Sequence, residues 1–226
     1  MRESLSSLRH PINKRPASAG NIEESGQVGL KSQLKFTVAA AGLAFCALAA
    51  FGPSASAQEV FRNTVTGEAL DIEGQAPKEG RDTPAVKQFL QTGVDPYVEV
   101  AGCLPKGEEI YLESCSGCHG HLGEGKVGPG LNDAYWTYPK NATDKGIFET
   151  IFGGANGMMG PHGQDLELDN MLKLIAWIRH IQKDDVKDAE WLTDEQKKNF
   201  KTFDIKAWEA TGKAAAEKAQ CKISGN

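Results

Sequence analysis

The sequence predicts an all-α protein, and the best evidence is an amphipathic segment in its C-terminal third. Between residues 168 and 182, apolar side chains recur at the spacing of one helix face, at Leu168, Met171, Leu172, Ile175 and Ile178. A shorter helix is predicted over 106–113, where two glutamates stand in the first turn and suit the positive end of the helix dipole.

Two further helices are predicted from their capping residues. Thr143 is an N-cap for a helix that runs through Phe152 and ends at Gly153-Gly154. Thr193 and Gln196 match a capping box, which predicts another short helix near the C-terminus. The predicted fold class is therefore helical, with loops between the helices.

Segment 31–57 has the features of a secretory signal. Lys31 and Lys35 precede a mostly apolar run from Phe36 to Phe51 and supply its positive flank. Ala55-Ser56-Ala57 then matches the site that signal peptidase accepts. The alternative is a membrane anchor, which needs about 20 apolar residues, and this run is shorter. Cleavage before Gln58 would leave a periplasmic chain that does not span the membrane. Residues 1–30 are polar and predict no fold.

The chain is acidic, with 30 Asp and Glu against 25 Lys and Arg and a net charge of −5. Six of the basic and three of the acidic residues lie in 1–57, so the mature chain has a net charge of −8. This balance argues against binding to nucleic acid, which needs a basic surface. It suits attraction to a partner with a basic face, although acidity can equally serve solubility alone.

Cys115, Cys118 and His119 form the motif C-x-x-C-H, which predicts one covalently attached haem c. The two thiols add across the haem vinyl groups, and the histidine then binds the iron as an axial ligand. A structural zinc site would need a second pair of ligands, whereas Cys103 and Cys221 stand alone and far apart. A thioredoxin-type pair would need a βαβ setting, which is not visible here.

The sixth iron ligand is predicted from a glycine-flanked loop forty residues after His119. Met159 is the first choice, because a thioether raises the reduction potential of an electron carrier and glycines let the backbone approach the porphyrin. His162 is a competitor, since imidazole binds haem iron well. Met158 is a third candidate, with a place in the core as its alternative role. His121 and His180 are expected at the surface.

Two other predictions concern the surroundings of the haem. Trp136 and its neighbouring tyrosines are expected to wall the haem crevice or bind a propionate, with plain core packing as the alternative. Cys103 and Cys221 are expected to form a disulfide between the N-terminal arm and the C-terminal tail, because the compartment is oxidising. Two free buried thiols are the alternative.

Five stretches make the sequence similar to cytochrome c-L, a family of class I-like cytochromes c: 115–121, 128–132, 135–139, 151–161 and 175–179. The resemblance continues upstream through 61–67 and 80–89. It implies a class I fold in which the last helix crosses the first beside the haem. It also implies that the carbonyl of Pro129 accepts the Nδ1–H of the axial histidine.

The resemblance further implies an electron-transfer role without enzymatic chemistry. Such proteins accept single electrons from PQQ-dependent methanol dehydrogenase and pass them to a smaller cytochrome c. A calcium ion near the haem is associated with the group, and the sequence assigns no ligands to it. We expect a monomer that docks transiently. Two alternatives stay open: a general periplasmic cytochrome c for another dehydrogenase or oxidase, and an open-site haem enzyme or sensor.

These features divide the chain into four segments. Residues 1–57 are the leader and signal peptide, and 58–104 form an N-terminal arm. Residues 105–183 are the haem domain, and 184–226 are a C-terminal extension packed on it.

Overall fold

A computed structural model describes residues 59–184, 186, 187, 189 and 191–223 of the chain. The predicted signal peptide and its cleavage site lie outside the described residues. Within them the structure is helical, and its β-type pairing is limited to one isolated antiparallel bridge between Arg62 and Ala69. The predicted all-α class is confirmed.

Nine α-helices follow in chain order through the described residues: α1 (Ile72–Gln75), α2 (Pro84–Thr92), α3 (Leu104–Ser114), α4 (Ser116–His119), α5 (Asp144–Gly153), α6 (Leu168–His180), α7 (Asp194–Asn199), α8 (Ile205–Ala207) and α9 (Lys213–Lys218). Short 3₁₀ turns occupy Ala101–Cys103 and Pro139–Ala142, and a π-helical segment, Trp208–Gly212, joins α8 to α9. None of the described helices is long and apolar enough to cross a membrane.

The crossing of α3 over α6 lies at the centre of the core. Gly107 on α3 makes it possible, because a Cβ at this position would fall on the carbonyl oxygen of Lys173 in α6. The predicted apolar stripe of α6 faces this contact, and Met171, Leu172 and Ile175 are fully buried. Removing such side chains from water is the main stabilising contribution to a fold of this kind.

The predicted capping residues are present at the ends of α5 and α7. The Thr143 hydroxyl accepts a hydrogen bond from Gly146 N at 3.1 Å at the start of α5. Gly154 ends this helix with φ +77°, a conformation that glycine adopts without steric cost. Thr193 and Gln196 form the predicted capping box of α7.

The N-terminal segment packs on α5 through aromatic rings. Phe61 lies 5.5 Å from Phe89 of α2 and 5.2 Å from Phe148 of α5, measured between ring centroids. Glu149 accepts a hydrogen bond from Arg62 N at 2.6 Å. The segment therefore contributes to the same core as the helices that surround the site.

The C-terminal segment is attached to α3 and α6 at two places. The predicted disulfide between Cys103 and Cys221 is present, which confirms that expectation. Trp208 packs on Trp177 of α6, with ring centroids 5.2 Å apart, and its Nε1 donates to Glu108 of α3 at 3.1 Å.

The expectation that His180 lies at the surface is wrong, because its side chain is half-buried. Its ring lies 5.4 Å from both Phe203 and Trp208 and 5.8 Å from Trp177, between ring centroids. The C-terminal segment covers this end of α6, and the burial lowers the pKa of His180 to about 4, against a weaker opposing influence of Glu108. His121 is exposed, as expected.

Candidate cofactor site

A cavity of about 460 Å³ opens beside the C-terminal end of α3 and is bounded by α5 and α6. This volume is in the range of cofactor sites. Most of its wall is apolar, and its apolar side chains include Leu131, Trp136, Ile147, Ile151, Leu166, Leu174 and Ile178. Such a wall excludes water and suits a large, planar, apolar group with a few polar contacts.

His119 lines this cavity. It ends α4, is buried, and its Nδ1 lies 2.8 Å from the carbonyl oxygen of Pro129. Because a carbonyl oxygen only accepts, Nδ1 carries the proton and Nε2 keeps its lone pair. Gly128 allows the loop to approach the ring, since a Cβ there would lie 2.8 Å from His119 Cε1. The histidine is thus oriented as a metal ligand.

The two cysteines of the motif differ in their surroundings. Cys115 lies in the cavity wall and is half-buried, and burial is the main cause that raises the pKa of its thiol to about 12. Cys118 is exposed and is not part of the wall. Neither is in a disulfide. The structure therefore brings Cys115 and His119 to one cavity, with Cys118 outside its wall.

The predicted sixth-ligand loop reaches the same cavity. Both Met159 and His162 line it, so the two leading candidates are both within the site. Met158 is 77% exposed and is not part of the wall. The Met159 carbonyl accepts a hydrogen bond from Ala155 N at 2.9 Å, which closes this loop on itself.

The aromatic segment after the glycine-rich loop is divided between the cavity and the solvent. Trp136 and Tyr138 line the cavity, whereas Tyr135 is 72% exposed. The Tyr138 hydroxyl accepts a hydrogen bond from Asn156 N at 3.1 Å and so links two parts of the wall.

Arg179 was not identified from the sequence, although it stands directly behind the wall. Its side chain is fully buried, and its guanidinium lies 5.3 Å from the ring centroid of Trp136. A signal was present, because Arg179 follows Ile175 and Leu172 by one and two helical turns and so continues the buried stripe of α6. A cation on such a stripe needs a buried partner.

These residues fit a c-type haem. The wall is apolar, a thiol and an oriented imidazole face the cavity together, and a thioether and a second imidazole line it as well. No cluster of three or more His, Cys, Asp or Glu side chains able to hold a free metal ion occurs in the part of the chain that the structure describes.

Comparison with known proteins agrees with this chemistry. Residues 104–178 match the family described as cytochrome c oxidase, cbb3-type, subunit III. The cytochrome c-L of Methylorubrum extorquens is 57% identical over 182 residues, which are 80% of this chain and 90% of that protein. The chain belongs to the cytochrome c-L family. It is therefore a haem c protein, and the predicted class I cytochrome c-like fold and electron-transfer role without enzymatic activity are confirmed.

Solved structures of the cytochrome c-L family support the same assignment. Cytochrome cL from Hyphomicrobium denitrificans is 94% identical, with a TM-score of 0.71 over 74% of this chain and all of that one. Cytochrome cL from the marine methylotrophic bacterium Methylophaga aminisulfidivorans is 50% identical, with a TM-score of 0.62 over 66% of this chain and 97% of that one.

Proposed function

We propose that this chain is a periplasmic, mono-haem electron carrier that accepts single electrons from PQQ-dependent methanol dehydrogenase and passes them to a smaller cytochrome c. The observation that carries the proposal is the meeting of Cys115, an oriented His119 and Met159 in one apolar cavity. Haem c supplies a reversible one-electron couple in such a site. The cytochrome c-L relatives support methanol dehydrogenase as the donor.

Each residue of the site has a distinct role. Cys115 and Cys118 would hold the haem through thioether bonds, and His119 would bind the iron through Nε2. Pro129 fixes the ring plane of His119 through the 2.8 Å contact to Nδ1, which also makes the imidazole a stronger donor. Trp136 would form part of the wall beside the porphyrin.

Met159 is proposed as the sixth ligand, with His162 as the alternative. Both residues line the cavity, so their positions do not separate them. The glycines that flank Met159 and the function of the protein favour the thioether, because it raises the reduction potential towards that of a physiological acceptor. The exposure of Met158 supports its exclusion.

A single haem is proposed because the sequence contains one C-x-x-C-H motif. Calcium remains a prediction from the resemblance alone. We propose a monomer with transient docking, since electron-transfer partners use small interfaces that separate quickly. The acidic balance of the chain supports attraction to a basic surface on the partner.

The donor can be tested by mixing oxidised protein with purified methanol dehydrogenase and following the haem α-band with and without methanol. Rapid reduction that needs methanol and slows as salt is added would support both the partner and charge-guided docking. Both calcium- and lanthanide-dependent dehydrogenases should be tried. A pigmented protein that neither enzyme reduces would contradict the donor and leave the haem site intact.

The sixth ligand can be tested by near-infrared absorption of the oxidised protein. A charge-transfer band diagnostic of bonding between ferric iron and a thioether should be present and should disappear in Met159→Ala. Met158→Ala is the matched control and should retain the band, because Met158 is exposed. If the wild-type protein lacked this band, His162 would be the better candidate. A change in the haem absorption spectrum of His162→Ala would then assign His162 as the sixth ligand.

A further inference from the structure

Arg179 joins four parts of the molecule through one buried side chain. Its Nε donates to Asp144 at the start of α5 at 2.8 Å. Its Nη2 donates to the carbonyl oxygens of Asn141 at 3.2 Å and Ala142 at 3.1 Å. Because these carbonyls end a short 3₁₀ turn, the guanidinium fixes the turn to helix α6.

The guanidinium also lies over two indole rings. Its central carbon is 5.3 Å from the ring centroid of Trp136 and 4.8 Å from that of Trp191. Trp136 belongs to the cavity wall, and Trp191 belongs to the C-terminal segment. A desolvated guanidinium over an aromatic face is held by electrostatic attraction to the ring. The C-terminal segment therefore acts on the wall through Arg179.

Arg179 is fully buried, and its Nη1 has no hydrogen-bond partner among the described residues. A hydrophobic residue would cost less at such a position, since burying a charge with an unpaired donor is unfavourable. The same wall segment, residues 136–142, contributes Trp136, Thr137, Tyr138 and Asn141 to the cavity. The contacts of Arg179 are thus concentrated on a part of the wall that no regular α-helix holds.

We propose that Arg179 is a positioning residue that holds wall segment 136–142 against the cofactor and limits the entry of external ligands into the cavity. The inference rests on the proposed haem site. Arginine suits the role because its planar fork can bind Asp144 and two carbonyls and still contact two aromatic rings. A lysine keeps the charge and can reach Asp144, but it cannot make these contacts together.

The first test compares Arg179→Lys with the wild-type holoprotein in two measurements. Hydrogen exchange at the amides of Asn141 and Thr143 reports on the wall, because both amides are bonded within the turn. The rate at which imidazole binds the oxidised haem reports on entry. Both rates should rise by about tenfold or more, the effect of losing one charged hydrogen bond and one stacking contact.

Tyr97→Phe is the matched control. It removes a buried hydrogen bond of 2.8 Å to Asp169, and Tyr97 is not part of the cavity wall. It should lower the stability of the protein and leave both rates within about twofold of the wild-type values, because opening of the wall is a local event. Equal increases in Tyr97→Phe and Arg179→Lys would overturn the proposal, since they would show a general loss of stability.

Trp191→Leu keeps the proposal testable if Arg179→Lys fails to fold. It removes the indole ring of the C-terminal segment and leaves the ion pair between Arg179 and Asp144. The rates of hydrogen exchange and of imidazole binding should therefore rise by about two- to fivefold. Unchanged rates in this variant would contradict the role of the C-terminal segment and of Arg179 with it. If the wild-type protein carried no haem, the haem site would be wrong, and hydrogen exchange at Asn141 and Thr143 would still decide whether Arg179 holds the wall.

Discussion

The Nδ1 atom of His119 lies 2.8 Å from the carbonyl oxygen of Pro129, so the loop after the C-x-x-C-H motif fixes the ring of the proposed axial ligand. The carbonyl accepts the Nδ1 proton and leaves Nε2 for the iron. Gly128 N donates to the Cys118 carbonyl oxygen at 2.9 Å, which ties the loop back to the motif. The orientation of His119 and its strength as an electron donor to iron therefore depend on its contact with the Pro129 carbonyl oxygen.

Gly128→Ala tests this dependence. The new methyl group would lie 2.8 Å from Cε1 and 3.0 Å from Nδ1 of His119, so the ring or the loop has to move. We expect a loss of about 1–3 kcal/mol in the free energy of unfolding, the usual cost of overpacking. The reduction potential should rise, because a weaker Nδ1 hydrogen bond makes the imidazole a poorer donor to ferric iron. Denaturant unfolding and a redox titration measure the two effects.

Gly117→Ala is the control for this substitution. Gly117 lies inside the same motif, but nothing stands within 4 Å of a Cβ built there. The reduction potential and the free energy of unfolding of Gly117→Ala should stay close to those of the wild-type protein. A potential that shifts equally in both variants would show that the His119–Pro129 contact is not the cause.

Most of the features that could be predicted from sequence are local patterns in the chain. The disulfide between Cys103 and Cys221 is the exception, because two otherwise unassigned cysteines in an oxidising compartment are expected to pair. The spacing of Cys115 and His119, and the cap at Thr143, are local patterns and appear in the structure as expected. The burial of His180 could not be predicted, because it depends on a segment distant in the chain. The helical spacing placed Arg179 on the buried stripe of α6, but its contact with Trp191 could not be predicted. Trp191 covers Arg179, and Trp208 packs on His180.

The disulfide between Cys103 and Cys221 should be a major source of stability. Its cysteines are 118 residues apart, so the bridge closes a long loop and restricts the unfolded chain. Replacing both by alanine should lower the free energy of unfolding by about 2–5 kcal/mol, measured with guanidinium chloride. A thiol count on unfolded, unreduced protein is the direct control, and two reactive thiols would contradict the bridge.

His180 should make stability depend on pH. Burial lowers the folded-state pKa to about 4, below the ordinary value of about 6.5, so the folded protein favours the neutral ring. Its contribution is complete above pH 6.5 and is lost as the pH falls towards 4, by about 1–3 kcal/mol in total. Unfolding by denaturant at pH 7 and pH 5 should show this loss.

His180→Phe should remove most of that pH dependence, because phenylalanine keeps the ring packing with Trp208 and does not titrate. Replacing the exposed His121 by glutamine is the matched control and should retain the wild-type slope. If the slope between pH 7 and pH 5 were the same in all three proteins, His180 would not be its source.

Asp95 should be a destabilising residue at neutral pH. It is 3% exposed, and its Oδ2 has no hydrogen-bond partner among the described residues. Burial and the nearby charge of Asp144 raise its pKa well above the usual range. Because the folded-state pKa is raised, the protein is most stable below the unfolded pKa of about 3.9 and loses stability as the pH rises towards the folded value.

Asp95→Asn removes the ionisable group and keeps its shape. The oxygen that accepts from Tyr97 N at 2.9 Å can be retained, so we expect a gain of about 1 kcal/mol or more in the free energy of unfolding at pH 7.

Asp144→Asn is the opposite case, because it leaves Arg179 buried without its ion pair and should cost about 3–5 kcal/mol. Unfolding in guanidinium chloride at pH 7 and pH 4 separates the effects of Asp95→Asn and Asp144→Asn. The gain in the free energy of unfolding in Asp95→Asn should disappear at the lower pH. A loss of stability in Asp95→Asn at pH 7 would mean that ionised Asp95 stabilises the fold through Arg179.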